Sequence, residues 1–117
     1  MAQILALVDD IFFQAKLLET AKHAGVEVKA FASGEALLAE ISQSAPSLVV
    51  VDLNARHAPM ETIASLRPLN PKIPVIGFFS HVQTELAERA LEAGCTQVMP
   101  RSKFTKDLSA IFSRAKS

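Results

Sequence analysis

Five short apolar runs, each followed by a helix-patterned stretch, predict an α/β domain with a parallel sheet covered by helices on both faces. Three observations carry this prediction. The runs at 4–8 and 48–51 are continuous rather than alternating, as expected of strands buried on both faces. The links between elements have the length of about 2–6 residues usual in α/β units. Strand and helix signals alternate along the whole chain, without a repeat, a linker or a low-complexity segment. With 117 residues, 50% of them hydrophobic, residues 1–117 are expected to form one domain with an ordinary core.

The run at 4–8 leads into Asp9 and Asp10. A helix follows to about residue 24, with Phe13, Leu17 and Ala21 four apart on one face. Gly25 stands where a helix C-cap is expected. Residues 26–31 alternate as a short strand. Ser33 is placed to N-cap a helix carrying Ala36, Leu37, Ala39, Glu40 and Ile41, which Pro46 brings to an end. The strand at 47–52 contains three consecutive valines and ends on Asp52. Residues 54–59 read as loop and 60–66 as a short, weakly patterned helix.

Pro68, Pro71 and Pro74 bracket a turn-rich connection to a fourth strand at 74–79, followed by Ser80. The helix at 84–93 carries Glu85, Glu88, Arg89 and Glu92 on one side and Leu86, Ala90 and Leu91 on another; Gly94 closes it. A fifth strand at 96–99 precedes Pro100, a residue tolerated on edge strands and at strand ends. Arg101 and Ser102 lead into a last helix at 104–115, with Leu108, Ile111 and Phe112 facing inward. Right-handed crossovers restrict the topology to very few choices.

Composition excludes several classes. Twelve basic and twelve acidic residues cancel, which leaves no electrostatic footprint for nucleic acid or an anionic membrane. No apolar run approaches a bilayer span, and the first residues lack a signal peptide's basic region and cleavage site. The expectation is a soluble, cytoplasmic protein. Cys95 is the one cysteine, so an internal disulfide is excluded; following Gly94 into a strand, it reads as a small buried residue.

Parallel sheets present ligand sites at the carboxyl ends of their strands. The residues just past the apolar runs are Asp9 and Asp10, Asp52, Ser80 and Arg101. Taken alone, an Asp at a strand end also serves as a helix cap. Three carboxylates, a hydroxyl and a cation on one edge say more. Crowded carboxylates repel, and a bound divalent cation most easily keeps them ionised at neutral pH. Oxygen ligands suit magnesium, which usually takes one or two carboxylates and then phosphate oxygens. A hydroxyl and a cation suit the equatorial oxygens of a phosphoryl group, which an Asp can receive as nucleophile.

The pieces Leu7-Val8-Asp9-Asp10, Leu48-Val49-Val50-Val51-Asp52-Leu53, Pro74-Val75-Ile76 with Ser80, and residues 87–94 followed by Cys95 define a resemblance. Over essentially its whole length the chain resembles the receiver domain of two-component response regulators. The resemblance implies a flavodoxin-like (βα)5 doubly wound parallel sheet of strand order 2-1-3-4-5. It implies that Asp52 accepts a phosphoryl group from a histidine kinase or histidine phosphotransfer protein. Asp9, Asp10, Asp52 and the backbone of Asn54 would hold Mg2+. Ser80 would bind the phosphoryl group and move inward, carrying a signal to the face of the fourth helix, fifth strand and fifth helix. Such a domain is a phosphoacceptor that assists its own phosphoryl transfer and slow dephosphorylation, rather than an enzyme. Its implied partners are the kinase or phosphotransfer protein, an unknown downstream protein and, through the signalling face, a second copy. No nucleic acid or membrane contact is expected.

The chain departs from the family at the switch rather than at the acid pocket. Arg101 replaces the family's lysine, keeping the charge on a longer, planar group. Ser102 replaces the proline after it, which removes the usual cis bond. Val98 stands at the position of the fifth-strand aromatic. The loop from Leu53 to Met60 lacks the proline four residues past the aspartate and the Asp-Gly that follows. An alternative therefore stands beside the first reading: a phosphorylation-independent pseudo-receiver acting as a protein-interaction module.

Other chemistries fit poorly. Aspartyl-nucleophile phosphatases place the nucleophile after the first strand with a second Asp two residues on, a spacing Asp9-Asp10 lacks. A dinucleotide binder would need a Gly-rich turn after the first strand, and none of the four glycines is there. His57 and His81 read as solvated loop residues flanking the pocket. Asn54 and Val82 match positions that tune dephosphorylation in receivers. An apolar Val82 cannot position an attacking water, which implies slow phosphate loss.

Phe12 and Phe13 follow the acid pair, and neighbours on a helix point about 100° apart. Phe13 fits the buried stripe, so Phe12 is expected to be exposed near the pocket as a partner-docking ring. Phe12→Ala should then weaken binding to the cognate kinase or phosphotransfer protein in a titration. Unchanged affinity would remove that role.

Overall fold

The computed structural model describes residues 3–56, 58–80 and 84–115. Strands β1 (Ile4–Leu7), β2 (Val28–Phe31), β3 (Leu48–Asp52), β4 (Val75–Phe79) and β5 (Gln97–Pro100) form one parallel sheet. They alternate with helices α1 (Ile11–Ala24), α2 (Gly34–Ile41), α3 (Pro59–Leu69), α4 (Thr84–Ala93) and α5 (Arg101–Ala115). The strand order is β2-β1-β3-β4-β5, the flavodoxin-like order that the family resemblance implies.

β1 and β3 bury every residue they contain, which explains their unbroken apolar sequences. Successive side chains point to opposite faces of the sheet. Ile4, Ala6 and Val50 meet α1 and α5 through Phe13, Leu17, Phe104 and Leu108. Leu5, Leu7, Val49 and Val51 meet α2, α3 and α4 through Leu37, Ile63, Leu66 and Ala90. Each fully buried Leu, Ile or Phe contributes roughly 1.5–3 kcal/mol, so two filled layers hold a small sheet securely.

Helix ends follow local chemistry. Asp10 N-caps α1 by accepting from the amides of Phe12 and Phe13. Gly25 closes α1 with φ 74°, a left-handed conformation that favours glycine. The Val26 amide bonds back to the Ala21 carbonyl as part of this closure, so β2 starts at Val28 rather than at residue 26. Ser33 N-caps α2 through the Ala36 amide, as expected.

The larger boundary differences from the sequence expectation lie at α3 and α5, while the other strand ends shift by about one residue. α3 runs from Pro59 to Leu69 and carries Pro68 inside it. Pro59 lies in the first turn, where its missing N–H costs nothing. Pro68 lies in the last turn, opposite the carbonyl of an exposed Ala64 that water can satisfy. α5 begins at Arg101, directly after β5, with no intervening loop. Leu91 is 51% exposed while its neighbour Ala90 is fully buried, because α4 turns only one narrow face to the sheet. Pro100 pairs with Phe79 at the edge of the sheet, a position that tolerates its missing donor.

At the end of the sheet opposite Asp52, Arg67 of α3 joins four segments. Its Nε and Nη2 donate to the Gly94 carbonyl at 2.8 and 2.6 Å. Nη1 donates to the carbonyls of Ile73 (2.7 Å), Pro71 (3.2 Å) and Asn70 (3.3 Å), and Nη2 also reaches Thr96 Oγ1 at 3.3 Å. Cys95 is buried as expected, and burial pushes its thiol up to about 11 despite the nearby Arg67 charge. No described helix is long and apolar enough to cross a membrane. The described peptide bonds are all trans.

α2 and α3 approach closely at Gly34, where an added Cβ would lie 2.0 Å from Thr62 Oγ1. Gly34→Ala should therefore destabilise the fold by about 1–3 kcal/mol, read as a lower midpoint in urea. Adding Thr62→Ala should recover part of the loss.

Candidate functional site

The sheet's winding reverses between β1 and β3, so a crevice opens at their carboxyl ends. Asp9 and Asp10 follow β1, and Asp52 is the last residue of β3. Ser80 follows β4, and Arg101 follows β5 as the first residue of α5. All five sequence-predicted side chains thus stand along one edge.

Asp52 is 6% exposed. Its Oδ1 accepts the Asn54 amide at 2.9 Å and its carbonyl accepts the Ala55 amide at 3.1 Å. This is the local turn that an Asp makes with the backbone two residues on. The Leu53 amide donates to the Phe78 carbonyl at 2.8 Å, holding the turn against β4. Burial raises the Asp52 carboxyl above the ordinary range; the Asn54 bond and the Arg101 charge oppose this, and Asp9 and Asp10 add to it.

Asp10 is held the other way. The bond from the Phe13 amide lowers its carboxyl most, and burial opposes; the Phe12 amide and Arg101 assist. Oδ1 takes the two cap bonds, at 2.9 Å from Phe12 and 3.3 Å from Phe13. Oδ2 faces Arg101 Nη2 at 3.4 Å. Asp9 Oδ2 accepts the Arg56 amide at 3.1 Å, tying the loop after β3 to the end of β1.

Arg101 is directed to Asp10 rather than bonded to Asp52. Its guanidinium lies 4.1 Å over the Phe13 ring, which packs against Phe78 at 5.1 Å and Phe104 at 6.2 Å between centroids. Two contacts escaped the sequence reading: the Arg56 amide on Asp9, and Asn54 Oδ1, which accepts the Ser80 amide at 2.7 Å. An Asp-x-Asn sequence signals a turn, but not which strand end its side chain will reach. Phe12 is 83% exposed, as expected, and Ile11 beside it is 70% exposed. His57, His81 and Val82 lie outside the described residues.

Among the described residues no three His, Cys, Asp or Glu side chains converge closely enough to hold a metal ion. The cap on Asp10 and the Arg56 bond on Asp9 turn those carboxylates toward protein donors. The donor set still suits magnesium, which needs one or two carboxylates and keeps several waters. A cation would also relieve the cost that burial and two neighbouring carboxylates place on ionised Asp52. A cleft of about 710 Å3 between α2 and α3, lined by Ser33, Glu35, Arg56 and Thr62 among others, is separate from the three aspartates.

The family model described as response regulator receiver domain matches residues 5–111. The chain belongs to that family. A curated relative, the transcriptional activator protein ExaE of Pseudomonas putida, is 32% identical over 71 residues, covering 60% of this chain and 33% of that protein. Among solved structures, NtrX from Brucella abortus superposes with TM-score 0.84 at 22% identity, covering 98% of this chain and 27% of NtrX. Chemotaxis response regulator CheY4 of Vibrio cholerae superposes with TM-score 0.84 at 21% identity, covering 98% of both chains. The receiver therefore spans about a third or less of the two longer relatives and nearly all of CheY4. At these structural identities the likeness establishes the fold.

The folded receiver holds the Asp52 proton more tightly than the unfolded chain, so ionising Asp52 costs stability at neutral pH. The cost shrinks as pH falls through the raised folded value toward the ordinary carboxyl value of 3.8, and it is gone only well below that, where both states are protonated. Asp52→Asn should therefore raise the melting temperature at pH 7 by roughly 2–5 °C. The gain should shrink as pH approaches 4, and magnesium should stabilise the natural protein more than the variant.

Proposed function

We propose that this receiver is phosphorylated on Asp52 by a histidine kinase or histidine phosphotransfer protein, in a magnesium-dependent reaction that alters a protein-docking surface. The observation that carries the reading is the buried Asp52 carboxylate at the sheet's switch point, with Asp9 and Asp10 on the adjacent strand end. Asp52 has the raised carboxyl of a group kept from bulk water, and a carboxylate oxygen is the nucleophile. As it attacks phosphorus, the new P–O bond forms and the P–N bond to the donor histidine breaks.

Asp9, Asp10, Asp52 and the backbone of Asn54 would hold the magnesium, which when bound neutralises charge on the phosphoryl oxygens. The Ser80 hydroxyl is the donor for one of those oxygens. Asn54 supports it by fixing the Ser80 amide, so a phosphoryl group drawing on Ser80 also draws on the loop after β3. Arg101 supplies positive charge along the same edge. The domain is a phosphoacceptor that assists its own transfer, and its output passes through the α4, β5 and α5 face to another protein or a second copy.

One pair of observations favours the alternative, a pseudo-receiver that docks proteins without phosphorylation. Arg101 is engaged with Asp10, and Val98 of β5 is a half-buried aliphatic residue where the family has an aromatic one. Magnesium with acetyl phosphate separates the readings. A phosphorylatable receiver should gain the mass of one phosphoryl group, which Asp52→Asn abolishes, and beryllofluoride should shift the amide signals around Asp52. The phosphorylated form should decay over minutes or longer. No mass gain and no shift would leave the pseudo-receiver.

A further inference from the structure

We infer that Arg101 is an internal competitor for the divalent cation: it occupies the Asp10 oxygen that a metal would need, and metal binding must displace it. The inference rests on the reading of Asp9, Asp10 and Asp52 as the metal-holding edge.

Both oxygens of Asp10 are engaged. Oδ1 caps α1 through the Phe12 and Phe13 amides, and withdrawing it would uncap the helix. A cation would therefore draw on Oδ2, the oxygen facing Arg101 Nη2.

The guanidinium is held in that position from several sides. Arg101 opens α5 directly after Pro100, which leaves its backbone no loop in which to move. Its Cζ lies 4.1 Å over the Phe13 ring, and that ring packs against Phe78 and Phe104. Phe104 lies three residues on, so the same face of α5 carries the cation and the ring that supports its platform.

Electrostatics favour the pairing further. The first turn of α5 carries Arg101 and Lys103 and no acidic residue, at the end of a helix where positive charge is already present. Lys103 is taken by Asp107 at 3.0 Å. The Asp10 carboxylate, reaching across from α1, supplies the anion. A flexible lysine ammonium would have no comparable planar group to seat over the ring.

The pair is also displaceable. Its side chains are 35% and 39% exposed and the contact is 3.4 Å, so the arginine weakens metal binding without blocking it. The metal-free receiver thus carries its own counter-charge, and its magnesium affinity is set partly by Arg101.

The test is a calorimetric magnesium titration of the natural protein, Arg101→Gln and Arg101→Lys, with amide NMR spectra to confirm the fold. Arg101→Gln should bind magnesium about three- to tenfold more tightly. Arg101→Lys, which keeps the charge but loses the guanidinium seated over Phe13, should fall between the two. Equal or weaker binding by a folded Arg101→Gln would overturn the inference while leaving natural magnesium binding, and the proposed function, intact. If that variant does not fold, the lysine variant alone must bind more tightly than the natural protein, or the inference falls. No magnesium binding by any of the three would overturn both readings.

Discussion

β1 and β3 have no solvent face, so helices must cover both sides of the sheet. That constraint divides the helices into one layer of two and one of three. Covering both sides from adjacent strands requires the chain to reverse its winding between them, and the reversal leaves a crevice where helices diverge. The same burial that makes β3 a stable strand leaves its final carboxylate facing that crevice with little water around it.

The electrostatics of the edge follow from how each carboxylate is placed. Asp10 sits at a helix N-terminus, takes two amide bonds and is comfortably ionised. Asp52 has one such bond and greater burial, so its ionised form is held under tension. Two neighbouring acids therefore differ in the cost of ionisation, which is lowered at Asp10 and raised at Asp52. The hydrogen bonds from the Arg56 amide to Asp9 and from the Ser80 amide to Asn54 link the ends of β1, β3 and β4.

Much of this was legible in the residues. Continuous apolar runs identify the buried strands, and the acids that end them identify the edge, because burial and chemistry both leave short-range marks. Gly25 and Ser33 announce helix ends for the same reason. The errors came where context overrides local preference. Pro68 signals a break, but in the last turn its missing donor deprives only a carbonyl that water reaches. The charge of Arg101 is readable, but its direction depends on Phe13, eighty-eight positions away in the chain. Leu91 belongs to an apolar stripe by spacing, yet α4 touches the sheet along a line too narrow to include it.

Arg67 gives the molecule a mechanical asymmetry. Through Gly94 it pins the carboxyl-terminal end of α4 to α3 and to the approach to β4, and through Thr96 to the start of β5. A side chain at Gly94 would collide with the arginine, so the anchor has no slack. The opposite end of α4 lies on the side of Ser80 and has no such clamp among the described residues. The two ends of α4 are therefore held unequally: its carboxyl-terminal end is tied through the Gly94 carbonyl to the Arg67 guanidinium of α3.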